Sequence, residues 1–167
     1  AAAVDYAKRY GVSVEGELGR LGGREENVDV SDRDANMTDP ASVQEFVKRT
    51  GIDALAIAIG TAHGAYKSKP KLDLERLKAI RDTIDVPLVL HGGSGIPNEQ
   101  VKAAIAAGIR KMNIGTDVCC AFAEGTLETL NDPNRSLAID LFMKHPIETV
   151  KKLAVEKIKL VGADGKA

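Results

Sequence analysis

Four repeats of one pattern constrain the fold of this chain most strongly. In each repeat, a short apolar or β-branched run leads into Gly-rich and polar residues, and a helical period follows. The runs lie at 12–17, 54–59, 86–90 and 111–114. The second and third are continuously apolar, which is typical of strands that are buried on both faces of a parallel sheet. Successive units of this kind predict parallel strands joined by right-handed crossovers.

Helix signals separate the runs. Asp39-Pro40 combines an N-cap residue with a proline at the first helical position, and Gly51 ends that helix. Asp73 predicts the start of the next helix, and Pro97 opens the third. Residues 118–160 carry further helical periods, which we interpret as extra helices after the last strand.

Two architectures accommodate four such units, an open doubly wound sheet and a barrel. A complete (β/α)8 barrel needs about 250 residues, whereas this chain has 167 and opens inside a helical pattern without a start signal. We therefore predict an α/β fold that is the C-terminal half of a (β/α)8 (TIM) barrel. It is predicted as one partial-barrel domain over residues 1–167, and residues 18–38 are predicted to form a long loop.

Composition disfavours several functional classes. The net charge is −1, aromatic residues make up 4% and Trp is absent, so nothing indicates binding to nucleic acid. There is no apolar run of about 18 residues and no signal-peptide pattern, so no membrane association is predicted. Cys119 and Cys120 are adjacent and are predicted to be reduced thiols, which fits a cytoplasmic protein.

Each predicted strand ends in residues with functional chemistry. Glu17 ends the first strand, and His63 and His91 follow the second and third at equivalent positions. Barrel enzymes build their active sites at the carboxyl ends of the strands. Two imidazoles at one mouth favour a metal site over two structural histidines. His145 lies between predicted helices and is interpreted as a surface or capping residue.

The glycines after the last two strands predict a phosphate site. Gly92-Gly93-Ser94-Gly95 lies between a strand and a helix, where backbone N–H groups and the helix N-terminus suit an anion. Gly115-Thr116 repeats this arrangement one unit later, and Lys67 can add a positive charge. The alternative is that these glycines only permit tight turns. Glu25 and Glu26 are either solvated loop residues or a source of a general acid or base.

At these residues the sequence resembles the class II, zinc-dependent aldolases of fructose bisphosphate and tagatose bisphosphate. The matching stretches are VEGELGRLGGREEN at 14–27, AIAIGTAHGAYK at 56–67, PLVLHGGSGIP at 87–97 and KMNIGTD at 111–117. They match in order and in spacing, and the resemblance covers essentially the whole chain.

The resemblance implies a role for each candidate residue. His63 and His91 correspond to zinc ligands, and Glu17 corresponds to a glutamate beside the metal that can ligate it in an alternative position. Glu25 corresponds to the loop glutamate that moves the proton at the carbon next to the ketone. The residues corresponding to the binding site for dihydroxyacetone phosphate are Gly64, Lys67, Gly92, Gly93, Ser94, Asn113, Gly115 and Thr116. A monovalent cation, Na⁺ or K⁺, is implied beside the first glycine of each His-Gly motif.

The implied reaction is a retro-aldol cleavage of a ketose 1,6-bisphosphate, either fructose or tagatose, to dihydroxyacetone phosphate and glyceraldehyde 3-phosphate. Zn²⁺ acts as a Lewis acid on the ketone oxygen, so no Schiff-base lysine is needed. The family's Asp-His pair from the first half of the barrel is not found in this sequence, so the chain alone is expected to have little or no activity. The expected partners are a small phosphorylated sugar and further copies of the chain, as a homodimer or homotetramer.

Two other functions fit the same residues. One is a metal-free phosphate-binding barrel enzyme, such as an isomerase, in which the histidines act as acid and base. The other is a non-catalytic half-barrel subunit of an aldolase complex. Metal content distinguishes the first from the aldolase, and activity with a supplied N-terminal half distinguishes the second.

Overall fold

A computed structural model of the chain describes residues 1–20, 22–25, 28–30, 37–64 and 70–166. Of residues 22–25, 28–30 and 63 it describes the backbone alone. The chain divides into two compact units, Ala1–Asn113 and Ile114–Ala167. The single partial-barrel domain over residues 1–167 stays a prediction.

The described residues alternate between strands and helices over most of the first unit. The strands are β1 (Glu15–Leu18), β2 (Gly22–Glu25), β3 (Val28–Val30), β4 (Ala54–Ile57), β5 (Ala62–His63), β6 (Leu88–Leu90) and β7 (Ile109–Met112). The helices are α1 (Ala2–Lys8), α2 (Pro40–Thr50), α3 (Leu74–Arg81), α4 (Asn98–Ala107), α5 (Thr116–Asn131), α6 (Ile139–Phe142) and α7 (Lys144–Leu160).

A four-stranded parallel sheet forms the centre of the first unit. Its strands are hydrogen-bonded in the order β1-β4-β6-β7, and all three pairings are parallel. The order in space is therefore the order along the chain, as in the wall of a (β/α)8 barrel. This sheet and its helices confirm the predicted α/β fold, with four of the strands expected for half a barrel.

Helix boundaries follow the capping residues. The Asp39 carboxylate accepts the Ala41 N–H at 3.1 Å before Pro40 opens α2, and Gly51 ends that helix with φ 66°. The Asp73 carboxylate accepts the Arg76 N–H at 2.9 Å and caps α3. These caps satisfy N–H groups that the first helical turn leaves without a partner, and they confirm the helix starts predicted from the sequence.

The core lies between one face of the sheet and the helices that cover it. Alternate strand residues point to this face, among them Leu55 and Leu88, which are buried. Gly16 points the same way, because a Cβ added there would lie 2.9 Å from the Ile52 side chain. The buried helix residues that complete this core are Val43, Leu77, Ile80, Val101 and Ala104.

The observed strands differ from the predicted runs at their ends. β1 begins at Glu15 rather than at residue 12, because its pairing with β4 starts at Glu15 and Val12 is 57% exposed. β6 begins after Pro87, which has no N–H for the ladder. β4 ends at Ile57, and β7 spans Ile109–Met112 because the chain enters the strand directly after Gly108 ends α4.

The segment between residues 18 and 38 contains strands where the sequence predicted a loop. β2 and β3 pair antiparallel, and β2 also pairs in parallel with β5. A second sheet with the order β3-β2-β5 results. The Gly-rich start of the segment obscured this pairing, although Val28 and Val30 are β-branched residues in alternation.

The second unit consists of α5, α6 and α7. Gly125 of α5 lies against α7, since a Cβ there would lie 2.9 Å from the Pro146 Cα. An ion pair of 2.6 Å joins Lys157 to Asp117 within this unit. Cys119 and Cys120 are free, as predicted. Over the part of the chain that the structure describes, no helix has the length and apolar character needed to cross a membrane.

Candidate functional site

The sheet face opposite the core carries charged residues. Because strand side chains alternate, Glu15 and Glu17 point away from the face that holds Gly16. Glu17 pairs in register with Ala56, and Val89 pairs with Lys111 further across the sheet. The alanines of β4 have short side chains, so longer side chains from β1 and from the end of β6 can meet above them.

His91, directly after β6, lies between two carboxylates. Its Nε2 is 2.8 Å from Glu15 Oε1, and its Nδ1 is 3.5 Å from Glu17 Oε2. The His91 side chain is 15% exposed, while those of Glu15 and Glu17 are 27% and 34% exposed. The contact with Glu15 has the length of a hydrogen bond, whereas the contact with Glu17 is longer than a hydrogen bond of good geometry.

Lys111 extends this cluster across the sheet. Its Nζ lies 2.8 Å from Glu15 Oε2 and 2.8 Å from Asn113 Oδ1. Glu15 thus uses one oxygen for His91 and the other for Lys111. We call these five residues the polar cluster: Glu15, Glu17, His91, Lys111 and Asn113.

The pKa values in the polar cluster reflect these contacts. The interaction with the Glu17 carboxylate raises the pKa of His91 above its ordinary value; burial opposes this rise, and the Glu15 hydrogen bond and both negative charges add to it. Burial alone would raise the pKa of Glu15, but the hydrogen bonds from Lys111 and His91 and their charges outweigh it and lower that pKa. These shifts favour the ionised form of Glu15 and the protonated form of His91.

Glycines after β6 allow the backbone there to lie close to β5 and to the end of β7. Gly92 has φ 65°, and a Cβ there would collide with the Ala62 carbonyl oxygen. A Cβ at Gly93 would lie 2.6 Å from Met112 Cγ, and the Gly93 N–H donates to the Asn113 carbonyl at 2.9 Å. Because Ala62 precedes His63 and Gly92 follows His91, this contact brings the two predicted metal-binding motifs side by side.

Two further predicted residues lie in the second sheet. His63 pairs with Gly23 in the β5–β2 ladder, and Glu25 lies two residues beyond Gly23 on β2. The backbone carrying the predicted base is therefore next to the backbone carrying the predicted metal ligand. The side chains of His63 and Glu25 lie outside the described part of the structure.

The remaining predicted residues are distributed as follows. Gly64 follows β5 with φ 86°, and Ser94 is buried, with 5% of its surface exposed. Lys67 lies outside the described residues. Gly115 and Thr116 form the start of α5 in the second unit. Their roles in phosphate binding stay predictions, as does the role of Gly93.

Thr38 holds the ends of the segment that carries β2 and β3. Its buried hydroxyl donates to the Leu18 carbonyl at 2.5 Å and accepts the Ala58 N–H at 2.8 Å. The Arg76 guanidinium donates to the Thr38 carbonyl at 2.8 Å. Sequence reasoning missed this residue, because a lone threonine at the end of a predicted loop carries no distinctive signal.

Sequence reasoning also missed Glu15 and Lys111. A usable signal existed for Glu15, since it lies two residues before Glu17 in a predicted strand and must share its face. Lys111 gave a weaker signal as the first residue of both the fourth predicted run and the KMNIGTD motif. Its contacts depend on which strands are neighbours, and that is a property of the folded sheet.

Comparisons with known proteins agree with this architecture. A family model described as class-II fructose-bisphosphate aldolase matches residues 1–166. The YdjI aldolase from Escherichia coli K12 is 42% identical with a TM-score of 0.81, and the match covers 99% of this chain and 55% of that one.

Two more distant solved structures show the same fold. A candidate fructose-1,6-biphosphate aldolase from Coccidioides immitis is 28% identical with a TM-score of 0.83, covering 99% of this chain and 57% of that one. The fructose-bisphosphate aldolase (Fba) from Campylobacter jejuni is 26% identical with a TM-score of 0.72, covering 96% and 55%. The chain thus spans a little over half the length of each of these structures. Since the family model matches almost every residue, this chain belongs to the class II fructose-bisphosphate aldolase family.

Proposed function

We propose that this chain is the C-terminal half-barrel of a zinc-dependent aldolase that cleaves a ketose 1,6-bisphosphate, fructose or tagatose. The products are dihydroxyacetone phosphate and glyceraldehyde 3-phosphate. Family membership supports the aldolase chemistry. The observation that carries the proposal is the position of His91 between two carboxylates at the carboxyl end of β6.

The donor atoms around His91 fit a zinc ion. Imidazole nitrogen and carboxylate oxygen are both standard zinc ligands, and bonds of about 2.1 Å at a tetrahedral angle separate two ligand atoms by about 3.4 Å. His91 Nδ1 and Glu17 Oε2 are 3.5 Å apart. The 2.8 Å contact between Nε2 and Glu15 is instead a hydrogen bond, of the kind that orients metal-binding histidines.

These two donors need others to complete a site. Within the part of the chain that the structure describes, no group of three His, Cys, Asp or Glu side chains is arranged to hold a metal ion. We propose His63 as a further ligand, with Glu17 serving an alternative metal position. When bound, zinc supplies Lewis-acid polarisation of the substrate ketone.

The other predicted residues act on the substrate directly. In this proposal Glu25 moves the proton at the carbon next to the ketone. Glycine N–H groups after β5, β6 and β7 bind the phosphate together with Lys67 and Ser94, and Asn113 binds the same half of the substrate. A monovalent cation, Na⁺ or K⁺, beside Gly64 and Gly92 belongs to the same proposal.

The setting of the reaction is also part of the proposal. We expect a cytoplasmic homodimer or homotetramer in which an N-terminal half contributes an Asp-His pair. The 167-residue chain without that half is expected to cleave little or no substrate.

Zinc binding by the chain tests the metal assignment. We expect His91→Ala to reduce zinc retained after dialysis against a weak chelator, relative to the wild-type chain. His145→Ala is the matched control, because His145 is 51% exposed, contacts Glu128 and belongs to the second unit. Equal zinc content in the wild type and both variants would remove His91 from the metal site.

A further inference from the structure

Lys111 contacts acceptors from two different parts of the first unit. Its ammonium nitrogen is 2.8 Å from Glu15 Oε2 on β1 and 2.8 Å from Asn113 Oδ1 just beyond β7. Neither the resemblance nor the proposed reaction assigns Lys111 a role. The retro-aldol reaction needs no lysine, so the two contacts of Lys111 call for another explanation.

The contact with Lys111 fixes the orientation of the Asn113 amide. An ammonium group has three N–H donors and no acceptor, so the amide atom beside it must be the oxygen. The Asn113 NH₂ group is then directed away from Lys111. On this arrangement Asn113 offers N–H donors to a ligand, which suits the oxygen atoms of a phosphorylated ketose.

The contact with Glu15 extends the same restraint to His91. Glu15 accepts from Lys111 with Oε2 and from His91 Nε2 with Oε1. Because a carboxylate is planar, the contact of Oε2 with Lys111 also fixes the direction of Oε1 toward His91. The Nδ1 side of His91 then faces Glu17.

We propose that Lys111 is a positioning residue that couples His91, through Glu15, to the amide of Asn113. The coupling links the proposed metal side of the site to its substrate side. The assignment of those two sides rests on the proposed function, whereas the coupling itself depends only on the contacts that run from His91 through Glu15 and Lys111 to Asn113.

The exposure of Lys111 indicates that its role is orientation rather than stability. Its side chain is 53% exposed, and exposed ion pairs contribute little to the free energy of unfolding. Replacing it should therefore leave the chain folded. Lys102 is a matched control, because its side chain is 58% exposed and pairs with Glu99 at 3.0 Å away from the polar cluster.

The test is a double-mutant cycle read by NMR on the ¹⁵N-labelled 167-residue chain. The probe is the side-chain amide signal of Asn113, assigned by its loss in Asn113→Ala. We expect Glu15→Gln to shift this signal beyond its line width in the wild type and in Lys102→Met. In Lys111→Met the same Glu15→Gln change should no longer shift it, and Lys111→Arg should restore part of the response.

Two outcomes would overturn the coupling. One is an Asn113 amide signal that Glu15→Gln does not move in the wild-type chain. The other is a shift of equal size in the Lys111→Met background, which would mean that Glu15 acts on Asn113 without the lysine. Backbone amide spectra of each variant check that the fold is retained, and Lys111→Arg supplies the comparison if Lys111→Met unfolds.

The result is distinguishable from a failure of the proposed function. The NMR cycle requires neither zinc nor cleavage. Coupling without zinc binding at His91 would leave Lys111 as a positioning residue and remove the metal assignment. Zinc binding at His91 without coupling would support the metal assignment and remove the positioning role of Lys111.

Discussion

Gly92 shows how a single residue sets the spacing between β5 and the loop after β6. It has a positive φ, and any Cβ would collide with the Ala62 carbonyl. Gly11 has the same φ of 65° but no atom within 4 Å of an added Cβ. Comparing substitutions at the two positions therefore separates the free-energy cost of backbone strain from that of steric collision.

We expect Gly92→Ala to lower the free energy of unfolding by about 3 kcal/mol or more, since strain and collision combine. Gly11→Ala should cost about 1 kcal/mol from strain alone. Urea denaturation of both variants measures the difference. Equal costs would contradict the close approach of β5 to the loop after β6.

Thr38 connects the end of the β2–β3 segment to β1 and β4. Thr38→Val keeps the shape of the side chain but leaves the Leu18 carbonyl and the Ala58 N–H without their hydroxyl partner. We expect a loss of about 2 kcal/mol or more in the free energy of unfolding, because unsatisfied buried groups are costly.

The control for this change is Thr50→Val. The Thr50 hydroxyl donates to the Phe46 carbonyl at 2.7 Å and has a longer contact of 3.5 Å with the Val47 carbonyl, both inside α2. Hydrogen exchange at the amide of Ala58 reports the local effect directly. An Ala58 amide that exchanges no faster in Thr38→Val than in the wild type would contradict the stabilising role of the Thr38 hydroxyl.

At the residue scale, the sequence singled out candidate ligands more readily than the residues that contact them. His63, His91 and Glu17 follow from strand ends and motif spacing. Glu15 and Lys111 are 96 residues apart, and only the β1-β4-β6-β7 order brings them within reach. Period-two alternation selects a face of the sheet, but it does not specify which strands meet there.

At the scale of single elements, the stability of α3 depends on pH through its capping residue, Asp73. The hydrogen bond from the Arg76 backbone N–H lowers the pKa of Asp73 below the ordinary value of 3.8; burial opposes this, and the Arg76 side chain adds to the lowering. A lowered folded-state pKa means that the cap is fully effective above the unfolded-state value. Its contribution is lost as pH falls through the folded-state pKa.

We therefore expect the stability difference between the wild type and Asp73→Asn to shrink as the pH falls below 3.8. Asparagine caps about as well as ionised aspartate but does not titrate, so the difference at neutral pH should be about 1 kcal/mol or less. Urea unfolding at several pH values measures it. A difference that grows on acidification would have the wrong sign.

Helices and strands differed in how far the sequence determined them. Asp39, Gly51 and Asp73 predict helix boundaries because capping is local chemistry. Strand ends shifted by up to three residues, since pairing with a neighbour decides where a strand begins. The β2–β3 hairpin was predicted as a loop for the same reason, because its pairing with β5 depends on tertiary structure.

At the scale of the whole chain, the fold is that of half a barrel. Four parallel strands in chain order form the wall expected for half of a (β/α)8 barrel. The match to the YdjI aldolase covers 55% of that chain. Length and strand count made this predictable from the sequence, whereas the polar cluster on the sheet face opposite the core depends on the order of the strands.

Cleavage of ketose bisphosphates by the completed barrel tests the proposed function most directly. The chain would be joined to the part of the YdjI aldolase outside the matched region and assayed with fructose and tagatose 1,6-bisphosphates. We predict cleavage of one or both that is lost on chelation, restored by zinc, abolished by His91→Ala and retained in His145→Ala. Cleavage that survives both chelation and His91→Ala, or a zinc-loaded complete barrel that cleaves neither sugar, would contradict it.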